Sequence, residues 1–301
     1  MTPLVIYHAN CWDGFCAAWV ARRALGDIEA VSAHYGTEPP DASGRTVYLL
    51  DFSYPRTVMR RLLGQARWVV VLDHHKTAQA ELDGLVDEFI QRPDLIASPE
   101  GGAELPLIWF DMTKSGARLA WEYFNREHGP SQADIQIPKS PWLVDYTEDR
   151  DLWRHALPDT EHINAALRSY PLDFTLWDEF HDTMGQREMF KREGEAIRRI
   201  ERQMVRDHVR HAREIEMAGH RIRVVNATVL FSEIAGELAK GAPFGACYFD
   251  RFDGKRQWSL RSDDKGVDVS LIAKARGGGG HRHAAGFEES RCDAHEPSTV
   301  V

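Results

Sequence analysis

Where the short apolar runs stop is what most constrains this fold. Leu4 to Tyr7, Val47 to Asp51 and Trp68 to Asp73 read as strands, and the first two lead into helical patterns. Gly14 to Leu25 carries Phe15, Ala18, Trp19, Ala21, Ala24 and Leu25 at helical spacing. Ser53 is expected to cap a helix with Pro55 in its first turn and Val58, Met59, Leu62 and Leu63 on its buried face. Alternation of this kind predicts an α/β fold with a parallel sheet, and the unbroken apolar run ending at Asp73 suits a strand buried on both faces.

Further along, residues 92 to 106 read as a surface loop, Lys114 to His128 as an amphipathic helix, and Trp142 to Trp153 as an acid-rich segment, helical in part. Gln186 to Met217 is strongly charged with a thin apolar stripe (Phe190, Ile197, Ile200, Met204), which predicts a long exposed helix between two domains. A smaller α/β unit follows: strand Arg221 to Asn226, helix Ser232 to Lys240, strands Phe244 to Phe249 and Gln257 to Arg261, and helix Asp268 to Ala275. It closes on the run Gly277 to Gly280 and His281. The expected division is 1–185, a linker helix over 186–217, and 218–295, in keeping with 301 residues being long for one domain.

Hydrophobic content of 43% and charge of 28% are those of a globular protein, with no apolar run of membrane-spanning length and no leader-like start. Four cysteines without a Cys-x-x-Cys pair suit a reducing compartment, so a cytoplasmic location is expected. A net charge of −9 argues against gripping long duplexes through many phosphates.

Loops at the carboxyl ends of parallel strands converge on one crevice. Here three strand ends supply metal-type ligands: His8 with Asp13, Asp51, and Asp73-His74-His75. A single strand-terminal Asp is often only a helix cap, but three in successive units are hard to explain by capping. Oxygen and imidazole donors suit Mn²⁺, Mg²⁺, Fe²⁺ or Zn²⁺. Two such ions roughly 3.5–4 Å apart can share a carboxylate, activate water and stabilise attacking and leaving oxygens at phosphorus. In the glycine run, backbone amides can approach an anion closely. Arg261, at a strand end, suits bidentate phosphate contact.

These motifs resemble the DHH phosphoesterases, over nearly the whole chain. His8 to Gly14 looks like the first motif, Asp51 belongs to the second, Val71 to His75 is the third, and Asp145 to Trp153 contains the fourth. The glycine run with His281 resembles the signature of the associated DHHA1 domain. The resemblance implies a Rossmann-like DHH catalytic domain, a DHHA1 substrate-binding domain facing it, and two divalent ions, Mn²⁺ first. By it Asp51 bridges the ions, His74 ligates one with Asp13 and an acid of the fourth motif (Asp149, then Asp151), and His8 serves the other. His75 points at the substrate phosphate and Asp73 orients its neighbours, so Asp51, His74 and His75 form the catalytic group. Gly278, Gly279, Gly280, His281 and Arg261 hold substrate. Cys11 stands where many members carry a first aspartate; a thiolate ligand and a packing residue are both open.

The function expected is hydrolysis of short oligoribonucleotides to mononucleotides by a nuclease of nanoRNase type. The alternatives are a phosphatase or phosphodiesterase of small nucleotides, such as 3′-phosphoadenosine 5′-phosphate or cyclic and linear dinucleotides, and a nucleotide-sensing module without catalysis. The partners expected are such substrates, with neither long duplex nor membrane, and with room for a homodimer.

Overall fold

The computed structural model describes residues 1–91, 105–126 and 138–290. Most of the loop expected at 92–106 lies outside these residues, as do His128, Cys292 and the end of the expected last domain. The chain forms two compact units, Met1–Arg198 and Arg199–Val301.

In the first unit the elements run β1 (Leu4–His8), α1 (Trp12–Leu25), β2 (Glu29–Ala33), β3 (Thr46–Leu50), α2 (Arg56–Leu63), β4 (Trp68–Asp73), α3 (Lys76–Leu82), α4 (Leu85–Gln91), β5 (Leu107–Phe110), α5 (Gly116–Phe124), α6 (Trp142–Asp151), α7 (Thr160–Leu167) and α8 (Phe174–Asp182). The helix α9 (Gln186–Val209) contains the division between the units. The strands form one parallel sheet in the order β2-β1-β3-β4-β5. Side chains alternate across it. Val5, Tyr48, Leu50, Val70 and Leu72 pack with α1, α5 and Trp177 on one face; Leu4, Ile6, Val47, Leu49, Val69 and Val71 pack with Met59, Leu62, Leu82 and Phe89 on the other. The β-branched and leucine-rich strands thus have both faces buried, as their apolar runs require. Between β1 and β3 the order of connection reverses, the place in an open α/β sheet where ligands generally bind.

The second unit adds β6 (Arg213–Met217), β7 (His220–Asn226), α10 (Phe231–Ala239), β8 (Gly245–Asp250), β9 (Lys255–Arg261), α11 (Val269–Lys274), β10 (Gly279–His281) and β11 (Ala284–Ser290). Its sheet runs β10-β11-β9-β8-β7-β6, antiparallel except for β7 with β8. Ile222, Val224, Ala246 and Leu260 face Val269 and Ala273 of α11, while Val225 and Cys247 face Ile234 and Leu238 of α10.

Three expectations are corrected. The helix expected to reach Met217 ends at Val209, because Arg-Glu-Ile-Glu-Met alternates with period two and pairs with β7. Ser53 caps nothing: α2 starts after Pro55, and the Ser53 hydroxyl donates to Asp73 Oδ2 at 2.9 Å. The helix expected from Lys114 begins at Gly116, capped by Ser115. Among the described residues no helix is long and apolar enough to cross a membrane.

Candidate metal centre

The carboxyl edge of the parallel sheet is built around Asp51, the residue after β3. Its backbone is left-handed (φ 54°) and its side chain is 1% exposed. A non-glycine residue in that conformation costs energy that surrounding contacts must offset. Several are present. His74 Nε2 lies 3.0 Å from Asp51 Oδ1, the Cys11 thiol donates to Oδ2 at 3.2 Å, and His8 Nδ1 is 3.7 Å from Oδ2. Burial opposes ionisation of Asp51, but His74, His8 and His75 outweigh it and hold the carboxyl well below its usual range.

Asp13 enters from the first turn of α1, 2% exposed. Its carboxylate accepts the Gly116 N–H at 2.6 Å and the Ala117 N–H at 3.0 Å, so it caps the start of α5, and Oδ2 lies 3.6 Å from His74 Nε2. Burial, Asp51 and Asp151 together push its pKa well up. This convergence depends on Gly116: a Cβ there would sit 2.5 Å from Asp51 Cβ and 3.0 Å from Asp13 Oδ2. Gly14 likewise lets α1 approach the His8 backbone, where a Cβ would meet the carbonyl at 2.8 Å.

At the end of β4, Asp73 is fully buried and organises the two residues after it. Its Oδ1 accepts the His74 N–H at 2.7 Å and the His75 N–H at 3.1 Å, and meets His75 Nδ1 at 2.7 Å. Burial works against the Asp73 charge, yet His75 keeps the pKa below the ordinary value. For His74, burial opposes protonation, and Asp51, Asp151 and Asp13 overcome it; the imidazole is held well above its usual pKa.

Two groups of three side chains could each hold a cation: His8, Asp51 and His75, and Asp13, His74 and Asp151. Asp51 links them through its 3.0 Å contact with His74. The acid of α6 that arrives is Asp151, 3.5 Å from His74 Nε2. Asp149 does not. Its oxygens accept the Ala156 and Leu157 N–H groups at 2.9 and 3.2 Å, which ties down the chain after α6. Residues two apart on a helix lie about 200° apart around its axis, so both acids cannot face one site. Asp145 is paired with Arg118 and Ser140. Cys11 sits against Asp51 with its thiol pKa raised well above normal by burial, Asp51, Asp151 and Asp13, so at neutral pH it is a protonated donor.

A cation fits this donor set. Asp151 Oδ2 is buried without a hydrogen-bond partner among the described residues. Burial raises the Asp151 pKa and Asp51 adds to that, against the pull of His74. Three clustered carboxylates facing His74 leave negative charge that a divalent ion would neutralise.

In the second unit, Arg261 donates to Ser232 Oγ at 2.6 Å and to the Leu260 carbonyl at 2.8 Å. Arg261 and His281 both stand opposite Ala284, on either side of β11, and so share one rung and one face. Gly277 (φ 77°) closes α11 and the Gly278 N–H donates to the Ala273 carbonyl; Gly279 and Gly280 continue as edge strand β10. A Cβ on Gly278 would collide with the Gly286 carbonyl at 2.1 Å, so close strand packing requires glycine there.

Gly116 escaped the reading of the sequence, in which Ser53 is a helix cap and not the partner of Asp73. Ser115-Gly116 before an apolar helical run was a legible helix start; the nearness of Gly116 to Asp51 was not.

No protein-family model matches the chain. Uncharacterized protein R106 of Acanthamoeba polyphaga mimivirus is 26% identical over 308 residues, and the match covers 94% of this chain and 66% of that protein's length. A solved DHH domain, from a member of a family of ribosomal proteins, matches with a TM-score of 0.54 at 12% identity, over 95% of this chain and 82% of that one. The fold is that of a DHH domain. The pGpG-specific phosphodiesterase PggH of Vibrio cholerae aligns over 98% of this chain and 95% of its own at 12% identity, with a TM-score of 0.47.

Proposed function

We propose that this chain is a metal-dependent phosphodiesterase that hydrolyses short oligoribonucleotides to mononucleotides. The observation that supports this reading is the pair of three-residue groups joined through Asp51 at the point where the parallel sheet reverses its order of connection. Divalent ions held by His8, Asp51 and His75, and by Asp13, His74 and Asp151, would supply water activation and charge neutralisation at phosphorus.

The chain's own residues do the positioning. Asp73 fixes both histidines through their backbone amides and accepts a hydrogen bond from His75 Nδ1, which orients the ring and leaves Nε2 on its far side. The α5 amides orient Asp13, and the buried Phe52 ring lies 6.1 Å from that of His8. Arg261 and His281, which flank Ala284 on one rung, are the candidates to hold a neighbouring phosphate. The net charge of −9 favours short substrates over long duplexes.

The test is incubation with Mn²⁺ and 5′-labelled di- to decaribonucleotides, beside nucleotide bisphosphates and cyclic nucleotides. The expected result is fastest conversion of the shortest oligoribonucleotides to mononucleotides. No turnover of any member with Mn²⁺, Mg²⁺, Zn²⁺ or Fe²⁺ would overturn the reading, and exclusive turnover of bisphosphates or cyclic nucleotides would replace it.

A further inference from the structure

Directly after Asp151, α6 ends in a segment whose conformation is unfavourable and yet firmly braced. Trp153 has φ 56° and His155 φ 50°, two non-glycine residues in left-handed backbone within three positions. For a bulky aromatic this is rare and costs about 1–3 kcal/mol. Asp149 holds the segment in place: its backbone carbonyl accepts the Arg154 and His155 N–H groups at 2.9 and 3.3 Å, and its carboxylate accepts those of Ala156 and Leu157. So the acid that does not reach the metal group rigidifies the loop beside it.

What that loop presents is an indole, 45% exposed. The Arg150 guanidinium lies over the ring at 4.3 Å from its centre, and the His155 ring meets it edge-on at 4.9 Å and 90°. The ring is therefore clamped, while much of its surface faces solvent. An exposed, immobilised tryptophan gains nothing for the core, and the strain that presents it needs another reason. Its Cα is at most about 7 Å from that of Asp151, two residues back. That is within a nucleoside's reach of an ester phosphate at the His74 and Asp151 group.

We infer that Trp153 is a specificity-determining residue, the platform on which the base of a nucleotide ester stacks while its phosphate lies at the carboxylate-histidine cluster. Every base has a π face, so the platform selects base-bearing esters over base-free ones without reading sequence. Pre-clamping by Arg150 and His155 lowers the ordering cost of binding, and the guanidinium beneath the ring is in place to reinforce the stack. This inference rests on the phosphodiesterase reading for its substrate, but stacking is measurable apart from hydrolysis.

The experiment compares a diribonucleotide with the same dinucleotide made abasic at one or the other position, in wild type, Trp153→Ala and Trp153→Phe. In kcat/KM the wild type should prefer the base-bearing compound over one of the abasic analogues by at least about tenfold. Trp153→Ala should bring that ratio close to one, and Trp153→Phe should keep most of it. A ratio unchanged in Trp153→Ala overturns the inference even with hydrolysis intact. If no variant hydrolyses any diester, the phosphodiesterase reading fails, and calorimetric binding of the same compounds decides the stacking question. Base-dependent affinity lost in Trp153→Ala and kept in Trp153→Phe supports it; equal affinity for base-bearing and abasic compounds, or no binding by wild type, overturns it.

Discussion

The two units handle charge in opposite ways. In Met1–Arg198, the residues Asp13, Asp51, Asp73, His74, Glu148 and Asp149 are buried, whereas among the described residues of the second unit Glu201 is the one charged side chain buried to that degree. Strand direction accounts for this. In a parallel sheet every carboxyl end lies on one edge, so His8, Asp51 and Asp73 converge and can share partners. In the mostly antiparallel second sheet successive ends alternate between edges, and only β9 and β10, separated by β11, bring Arg261 and His281 to a common rung. One architecture concentrates groups that need each other; the other sets Arg261 and His281 side by side at a partly exposed edge.

Exchanging one residue on each side tests this contrast most strongly. Asp51→Asn should lower kcat by more than about a hundredfold, the upper end of what losing an outer partner of a ligand costs, and should lower bound metal in the purified protein. Arg261→Ala should leave metal content unchanged and act mainly on KM, raising it roughly tenfold for loss of a charged hydrogen bond. Metal analysis beside steady-state kinetics separates them. Wild-type turnover in Asp51→Asn would sink its central role, and loss of metal in Arg261→Ala would erase the division of labour.

Smaller in effect is Gly116→Ala. The added Cβ meets Asp51 Cβ at 2.5 Å with both walls buried, so the expected cost is about 1–3 kcal/mol of stability, read by urea denaturation, together with weaker metal binding. Unchanged stability would mean that α5 gives way easily, and that Asp13 and Asp51 are not held by it.

Much of the fold was legible because buried parallel strands write themselves as apolar runs: β1, β3 and β4 stand where those runs are. The edge strand β2, Glu-Ala-Val-Ser-Ala, was not legible, because it is buried only at Ala33 and so carries no run. The grouping of His8, Asp51 and Asp73 at the strand ends was readable for the same reason as the strands. The acid on α6 was not. Asp149 and Asp151 are chemically alike and two residues apart, and only the packing of α6 decides which one faces His74. Trp153 was silent because a left-handed backbone angle leaves no mark on an aromatic residue's identity. In the second unit the glycines were read for an anion, whereas part of their requirement is steric, where Gly278 passes the Gly286 carbonyl.

Charge in the first unit can also be compared with itself. Asp178 of α8 meets fixed cations: Arg22 at 2.7 Å and Arg23 at 3.1 Å, with the Trp19 indole donating at 2.9 Å. Burial would raise its pKa, but Arg22, Trp19 and Arg23 outweigh this and hold it below the ordinary value. A carboxyl with a depressed folded pKa stabilises above its unfolded pKa of about 3.9 and loses that contribution as pH falls through the folded value. Asp178→Asn should therefore cost about 1–2 kcal/mol at pH 7, and the gap to wild type should narrow as pH drops below about 4. Equal stability at pH 7 would show that these arginines contribute only surface attraction.

The smallest effect has the opposite sign and belongs to the second unit. Gly236 lies inside α10, where an added Cβ meets nothing within 4 Å. Glycine in a helix interior costs roughly 0.5–1 kcal/mol relative to alanine, because the unfolded chain has more freedom to lose. Gly236→Ala should thus stabilise by about that amount, read as a higher denaturation midpoint with unchanged metal content and turnover. The same substitution at Gly116 destabilises, because there the missing side chain is what lets a helix start close over two carboxylates. If Gly236→Ala proved as damaging as Gly116→Ala, α10 would be packed against something its own unit does not provide.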